Sequence, residues 1–478
     1  MTTTPTHRLE NYQRLLNADQ FDQLERSMAR PLPPALRVNT LKIDLATARA
    51  HWPVEYGWQI QPVPFCESGW QISGHAEALS RTIEHRTGGY YLQDAASMLP
   101  AEMFTFDREF PLMLDMAASP GGKTTHLISR IADRGVVIAN DSSAGRIAGL
   151  RSNLQSWGTL SSALTSYPGE RFGEWWPDTF DDVLLDAPCS GESLRTAERR
   201  KTRCVSDKER LQLQRRQIKL LISAFQAVKP GGQVVYATCT LAPEEDEAVI
   251  DALLKAYPHE TLIEAVENLV IAPALSHDGD VNFDASVARA VRLWPHLYDT
   301  SGFFAALIRK RHRVDSPATL PPQRSLAQAG FAPLTDRQRR DVANNLLDRY
   351  GFDLSQALDI QRLEVLKRGA AVYAVPAQFI ARFGDFPCIA IGMLIGEWLD
   401  GALVPSHELI ARFASQFTGQ RFTLNADHVK QWLTGLDLRA VTPPYTTGRI
   451  ILIEDEHHRY LGRGKVLRER LRNLLPKR

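Results

Sequence analysis

Two cysteines in this chain stand where a thiol has more to do than fill space. Cys189 follows Leu185-Asp186-Ala187-Pro188, and Cys239 follows Tyr236-Ala237-Thr238, each just after a short apolar run of the kind that forms a buried strand. Open α/β sheets place their ligands at such carboxyl ends. One free cysteine is usually a small buried hydrophobe, but two that close neighbouring strands predict a pair of thiols facing one crevice, with the Asp186 carboxylate beside them.

A second signal lies upstream, in Leu114-Asp115-Met116-Ala117-Ala118-Ser119-Pro120-Gly121-Gly122-Lys123-Thr124. It reads as a strand that turns through small residues into a helix. Ala117, Ala118, Ser119, Pro120, Gly121 and Gly122 let backbone approach a ligand, and the helix start offers unpaired N–H groups. Asp141 closes the next strand, where a carboxylate can take both ribose hydroxyls of a nucleoside cofactor. Gly122-Lys123-Thr124 also matches the end of a phosphate-binding loop, with Val183–Asp186 as its acidic strand. Ala117, however, occupies the place of the first required glycine, and Pro120 removes an N–H from the loop. No G-x-G-x-x-G is present for a dinucleotide. S-adenosyl-L-methionine is therefore the expected cofactor.

A thiol beside a sulfonium donor suits one reaction well. Cytosine C5 is a poor nucleophile, but a thiolate adding to C6 makes C5 enamine-like and able to accept a methyl group. Asp186 can hold N3 and the exocyclic N4 of such a base. Lys123 either lowers a neighbouring thiol's pKa, orients that carboxylate, or is a surface lysine at a helix start.

These residues need a frame, and the apolar runs Leu112–Asp115, Val136–Asp141, Ala163–Thr165, Val183–Asp186 and Val234–Thr238 alternate with helical stretches. That alternation predicts a parallel sheet covered on both faces. Ile218, Leu221, Phe225 and Val228 mark a helix that stops at Pro230-Gly231-Gly232, and Arg292–Pro295 and Phe303–Ile308 read as an antiparallel edge. Residues 1–108 are read as an N-terminal α+β module, 109–312 as the catalytic domain and 313–334 as a Pro-rich linker. Residues 335–478 are read as a β-rich C-terminal region, with strands around Ala371–Val375, Ile389–Ile395 and Ile450–Ile453 and helices capped by Thr335 or Asp336 and by Ser406. At 478 residues the chain is too long for one core.

Composition excludes several classes. With 44% hydrophobic and 23% charged residues the chain is an ordinary folded protein, and its net charge of +1 gives no reason by itself to expect nucleic acid. Five cysteines, Cys66, Cys189, Cys204, Cys239 and Cys388, are an odd number with no C-x-x-C pair, which argues against disulfides and a structural zinc site, so no metal is expected. Met1–Gln13 lacks the apolar core of a signal peptide and Phe386–Leu399 is too short to span a bilayer, so a cytoplasmic, membrane-free monomer is expected.

Together these motifs resemble the RNA 5-methylcytosine methyltransferases of the Nol1/Nop2/Sun family, and more narrowly the bacterial small-subunit (16S) ribosomal RNA methyltransferase F group. The resemblance spans nearly the whole chain, through Arg37-Val38-Asn39-Thr40, Tyr91–Pro100, the glycine turn, both cysteine motifs, Arg292-Leu293-Trp294-Pro295 and Gly302-Phe303-Phe304. It implies a Rossmann-like methyltransferase core, an N-terminal RNA-recognition module and a PUA-like C-terminal module that grips RNA by shape and backbone with the basic end Arg459–Arg478. It implies Cys239 as the nucleophile, Cys189 as the residue assisting product release, Asp186 between base and cofactor, and Ala117–Lys123 with Asp141 as the cofactor site. The implied substrate is ribosomal RNA, within the small subunit. Transfer-RNA methylation by the same chemistry, or a non-catalytic ribosome-assembly protein, are the alternatives. The chain departs from its relatives at Pro168, where they carry an acidic residue, at Ser193, where they favour glycine, and in an arginine-rich segment, Leu194–Arg203.

Overall fold

The computed structural model describes residues 10–194, 205–266 and 272–475; most of the arginine-rich segment lies outside them. The N-terminal module is a four-stranded antiparallel sheet in the order β2-β3-β1-β4, built from β1 (Ala35–Val38), β2 (Trp58–Val63), β3 (Cys66–Gly74) and β4 (Tyr90–Leu92). Its core is a cluster of aromatic edges, Trp52, Trp58, Trp70 and Tyr90. The helix Ala18–Met28, closed by an Asn17–Gln20 capping box, packs elsewhere, against Trp294 and Leu241.

The predicted parallel runs are β5 (Leu112–Asp115), β6 (Val136–Asn140), β7 (Ser162–Thr165), β8 (Phe180–Asp186) and β9 (Val228–Thr238). Every residue of the first three is buried, as expected of strands covered on both faces. The order β9-β8-β5-β6-β7 puts the ends of β8 and β9, which carry the two cysteines, side by side. The helix before β9 runs Asp207–Ala227. It therefore ends three residues before Pro230, because Val228 already pairs with Phe180 on β8.

Short strands close the far edge: β10 (Thr261–Glu264), β11 (Ala272–Pro273), β14 (Val291–Leu293) and β15 (Phe303–Lys310), with a hairpin of β12 (His277–Asp278) and β13 (Val281–Asn282) beside them. The expected antiparallel edge is β15 against β9 and β14 against β15. Arg292 on β14 is fully buried, and its guanidinium donates to both Glu247 oxygens at 2.6 and 2.5 Å and to the Leu241 carbonyl at 2.9 Å, with Asp246 at 3.5 Å.

The Pro-rich stretch is laid along the protein rather than hung between bodies. Ser316 bonds to Gly173, Thr319 to Glu174 and Arg324 to Asp385, before β16 (Ala332–Pro333) pairs with β17 (Leu363–Arg368). Beyond it, β16 and β17 with β18 (Ala371–Pro376), β20 (Met393–Leu399) and β21 (Ala402–Pro405) form one five-stranded sheet. The expected strand Ile389–Ile395 is split at Gly392 (φ +59°), so that β19 (Ala390–Ile391) pairs with β7 and extends the catalytic sheet, while β20 stays in the C-terminal one. A second five-stranded sheet comprises β22 (Arg421–Leu424), β23 (Leu438–Arg439), β24 (Ile450–Asp455), β25 (Tyr460–Val466) and β26 (Arg470–Asn473). The described part of the basic end carries β25 and β26. Thr335 and Ser406 cap the helices Asp336–Tyr350 and His407–Phe413 as expected. Among the described residues no helix is long and apolar enough to cross a membrane.

Arg292 sets up a stability test. Arg292→Met keeps the volume but strands two buried carboxyl groups, which should cost about 3–5 kcal/mol in calorimetric or urea unfolding near neutral pH.

Candidate active site

The turn after β5 places small residues where backbone must come close. Gly121 adopts φ +108° and begins the helix Gly122–Arg130, and Arg37, fully buried on β1, donates to the Gly122 carbonyl at 2.9 Å and to Thr125 at 2.8 Å. The N-terminal module thus holds the start of this helix. Asp141 stands at the end of β6, where Oδ2 accepts the Ser119 N–H at 3.2 Å and Oδ1 the Ser143 N–H at 2.8 Å.

At the ends of β8 and β9 the two sulfurs, Cys189 Sγ and Cys239 Sγ, are 3.0 Å apart, and the Cys239 N–H points at Cys189 Sγ from 3.3 Å. The hydrogen bond with Cys239, reinforced by burial, pushes the Cys189 thiol well above its ordinary range. The loop bearing Cys189 is pinned by Glu245, whose carboxylate accepts the Ser190 N–H at 2.9 Å and the Gln217 side-chain N–H at 2.9 Å, while Gln217 also donates to the Pro188 carbonyl at 2.9 Å.

Lys123 reaches across from the glycine turn. Its Nζ donates to Asp186 Oδ2 at 2.8 Å and lies 5.3 Å from the Phe303 ring centroid. Burial works against its charge, but Asp186 and then Cys239 outweigh it and hold its pKa above the ordinary lysine value. Lys123 is therefore a cation paired with the Asp186 carboxylate at the cavity wall.

One cavity of ≈ 570 Å³ joins these pieces, lined by Ala117, Ser119, Lys123, Asp141, Asp186, Cys189 and Cys239. An adjoining cavity of ≈ 210 Å³ adds Asp115, Ala118, Pro120 and Gly122 under the Tyr91–Asp94 segment of the N-terminal module. Of the sequence-predicted site residues only Gly121 lines neither; a side chain there would press on Leu150 at 3.0 Å, so its part is the turn.

Residues 106–309 match the family described as 16S rRNA methyltransferase RsmB/F, and residues 5–95 match the N-terminal domain of 16S rRNA methyltransferase RsmF. Over 96% of its length the chain is 33% identical to the ribosomal RNA small subunit methyltransferase F of Salmonella schwarzengrund (strain CVM19633), covering 92% of that protein. The protein of the same name from Salmonella newport (strain SL254) matches equally, at 33% over 96% of the chain and 92% of the relative. The chain belongs to the RsmB/F family of 16S rRNA methyltransferases. Among solved structures, a methyltransferase homolog from Pyrococcus horikoshii is similar at 31% identity and TM-score 0.55 over 64% of this chain and 99% of that one. NSun6 from the same organism, at 21% identity and TM-score 0.54 over 64% and 97%, shares the fold.

As an RsmB/F enzyme the chain uses S-adenosylmethionine, and the residues present fit it. Asp115, fully buried at the end of β5, gives Oδ2 to the Thr124 hydroxyl at 2.6 Å but leaves Oδ1 buried without a partner, and burial pushes its carboxyl up to about 7. The cofactor's ammonium group is a natural partner for that oxygen. Asp115 was visible in the sequence only as the last residue of a strand. Phe303, from the Gly302-Phe303-Phe304 motif, and Arg146, which donates to the Ser119 carbonyl at 2.5 Å, also line the larger cavity; Arg146 carried no signal beyond its type. Pro168 lies outside both cavity linings, although its neighbour Gly169 is in one. A separate cluster, Cys66, Glu102 and His126, gathers three metal-capable atoms within 4.8 Å among the described residues. There His126 Nε2 bonds to Glu102 at 2.9 Å and contacts Cys66 Sγ at 3.8 Å, while Arg130 pairs with the same carboxylate, a closed seam between module and core.

A cation placed against Asp115 must lower its pKa. Cofactor binding near pH 7 should therefore release a fraction of a proton, seen as calorimetric heats that vary with the buffer's ionisation enthalpy, and affinity should rise as pH climbs through 7. Asp115→Asn should abolish both effects, and heats independent of buffer would contradict this placement.

Proposed function

We propose that the chain methylates C5 of a cytosine in small-subunit (16S) ribosomal RNA through a covalent bond between Cys239 and C6. The observation that carries this reading is the thiol pair, 3.0 Å apart, opening on the same cavity as the glycine turn and the Lys123–Asp186 pair.

Cys239, with Cys189 donating S–H to it and the Lys123 ammonium nearby, is the sulfur suited to carry negative charge. Added to C6, it makes C5 nucleophilic. The Asp186 carboxylate accepts from the exocyclic N4 amine of the base, and Lys123 faces the charge that develops on the ring. Bound S-adenosylmethionine supplies the electrophilic methyl group. After the C5 proton leaves to water in the cavity, the C5–C6 double bond reforms and the C6–S bond breaks. Cys239 then departs as thiolate toward the Cys189 S–H, which assists release. Phe303, 2% exposed at the cavity wall, offers an aromatic surface to the base. Ribosomal RNA as substrate is supported by the names of the relatives, and the exposed Arg468, Arg470 and Arg472 beside β26 offer the terminal grip on phosphate.

Tritiated S-adenosylmethionine with unmethylated small-subunit RNA should label cytosine C5, and with transfer RNA should not; label on adenine N6 would refute the reading. Cys239→Ala should abolish turnover. Cys189→Ala, lacking the donor for the departing sulfur, should accumulate a protein–RNA adduct visible as a band shift on denaturing gels. Normal turnover by either variant contradicts the assigned roles.

A further inference from the structure

The two thiol loops are braced from outside the catalytic sheet, by the N-terminal arm. The helix Glu10–Gln13 carries Tyr12, 1% exposed, whose ring meets Trp294 edge-on at 6.5 Å between centroids and packs with Leu24 and Leu241. Leu241 lies two residues past Cys239. At the inner end of the ring, the Tyr12 hydroxyl is 2.9 Å from Ser193 Oγ, four residues past Cys189, and the Thr240 hydroxyl also acts on the phenol. Burial pushes that phenol up to about 12, so it keeps its proton and remains a donor.

Ser193 is no loose partner. Its carbonyl accepts the Gly302 N–H at 3.0 Å, and Glu192 beside it pairs with the buried Arg210 at 2.8 Å. On the other side of the thiols, Ser190 donates to Thr240 at 3.1 Å. The loops bearing Cys189 and Cys239 are thus joined directly by Ser190–Thr240 and by the Cys239 N–H on Cys189, and Tyr12 bridges them from outside, bonded to Ser193 and packed on Leu241. The arm in turn is held to the core by Ser27, which donates to the Pro295 carbonyl at 2.9 Å, and by Arg14 beside Glu244 at 3.6 Å.

We propose that Tyr12 is a positioning residue for the methyl-transfer site: bonded to Ser193, its hydroxyl holds the Cys189 loop in register with the Cys239 loop, so that the N-terminal arm sets the spacing of the two sulfurs. The inference rests on the thiol roles proposed above. An S–H···S contact weakens steeply with separation, and small misplacements of reacting groups lower turnover more than binding.

The test is steady-state kinetics of the full chain carrying Tyr12→Phe, which keeps the ring in its apolar cluster and removes only the hydroxyl. The kcat should fall about fivefold to tenfold, the worth of one buried hydrogen bond, while KM for RNA and for S-adenosylmethionine stays within about twofold. Ser193→Gly should lose as much, and the double variant should lose no more than either single one, since both act through one bond. If Tyr12→Phe fails to fold, Ser193→Gly alone carries the test, because it leaves the apolar cluster intact. Unchanged kcat, a loss confined to KM for RNA, or additive losses would overturn the proposal, leaving the thiol assignment standing. A Cys239→Ala variant that still methylates RNA overturns both.

Discussion

Two sulfur atoms 3.0 Å apart cannot both be charged at neutral pH, because the second thiolate would face the first across a contact with little solvent between them. One proton therefore stays in the pair, and the rest of the site decides where. The hydrogen bond with Cys239, burial and the nearby Glu245 keep the proton on Cys189, against the Cys239 N–H, which by itself favours charge there; the Lys123 ammonium, held above the ordinary lysine range against the cost of burial, favours charge on Cys239. In the proposed reaction this asymmetry makes Cys239 the nucleophile and Cys189 the donor that eases its departure.

Distance control on that scale requires a rigid mounting. Neighbouring parallel strands supply it, since β8 and β9 are paired in register up to Asp186 opposite Ala237, just before the loops that bear the thiols. The flanking modules supply the remainder. Arg37 ties the N-terminal sheet to the start of the cofactor-side helix, the Cys66–His126–Glu102 seam locks the same two bodies together, and β19 grafts the C-terminal half onto the opposite edge of the catalytic sheet. The site is a junction of modules rather than a feature of the Rossmann-like core alone.

Much of this was legible in the sequence, for physical reasons. Continuous apolar runs reveal strands buried on both faces, and small residues between a strand and a helix reveal a ligand turn, so the core, its strand neighbours and the two thiols could be placed. What stayed hidden depended on long-range contacts. Asp115 looked like an ordinary strand end until its orphaned oxygen was seen beneath the cavity, and Tyr12 like one more polar-helix residue until its hydroxyl met Ser193 across 181 residues. Ile389–Ile395 read as one strand because its apolar run is unbroken in character; the left-handed Gly392, which hands it from one sheet to another, is a tertiary decision. Ser193, noted in the sequence only as a departure from the family pattern, is engaged with the Tyr12 hydroxyl.

The most direct test of the central claim is to trap the covalent step. RNA carrying 5-fluorocytidine at the target position cannot lose a proton from C5, so the attacking sulfur should remain bound, and mass spectrometry of the RNA-linked peptide should find the nucleotide on Cys239 of the wild-type protein. Linkage to Cys189, or no linkage while ordinary RNA is methylated, would contradict the account.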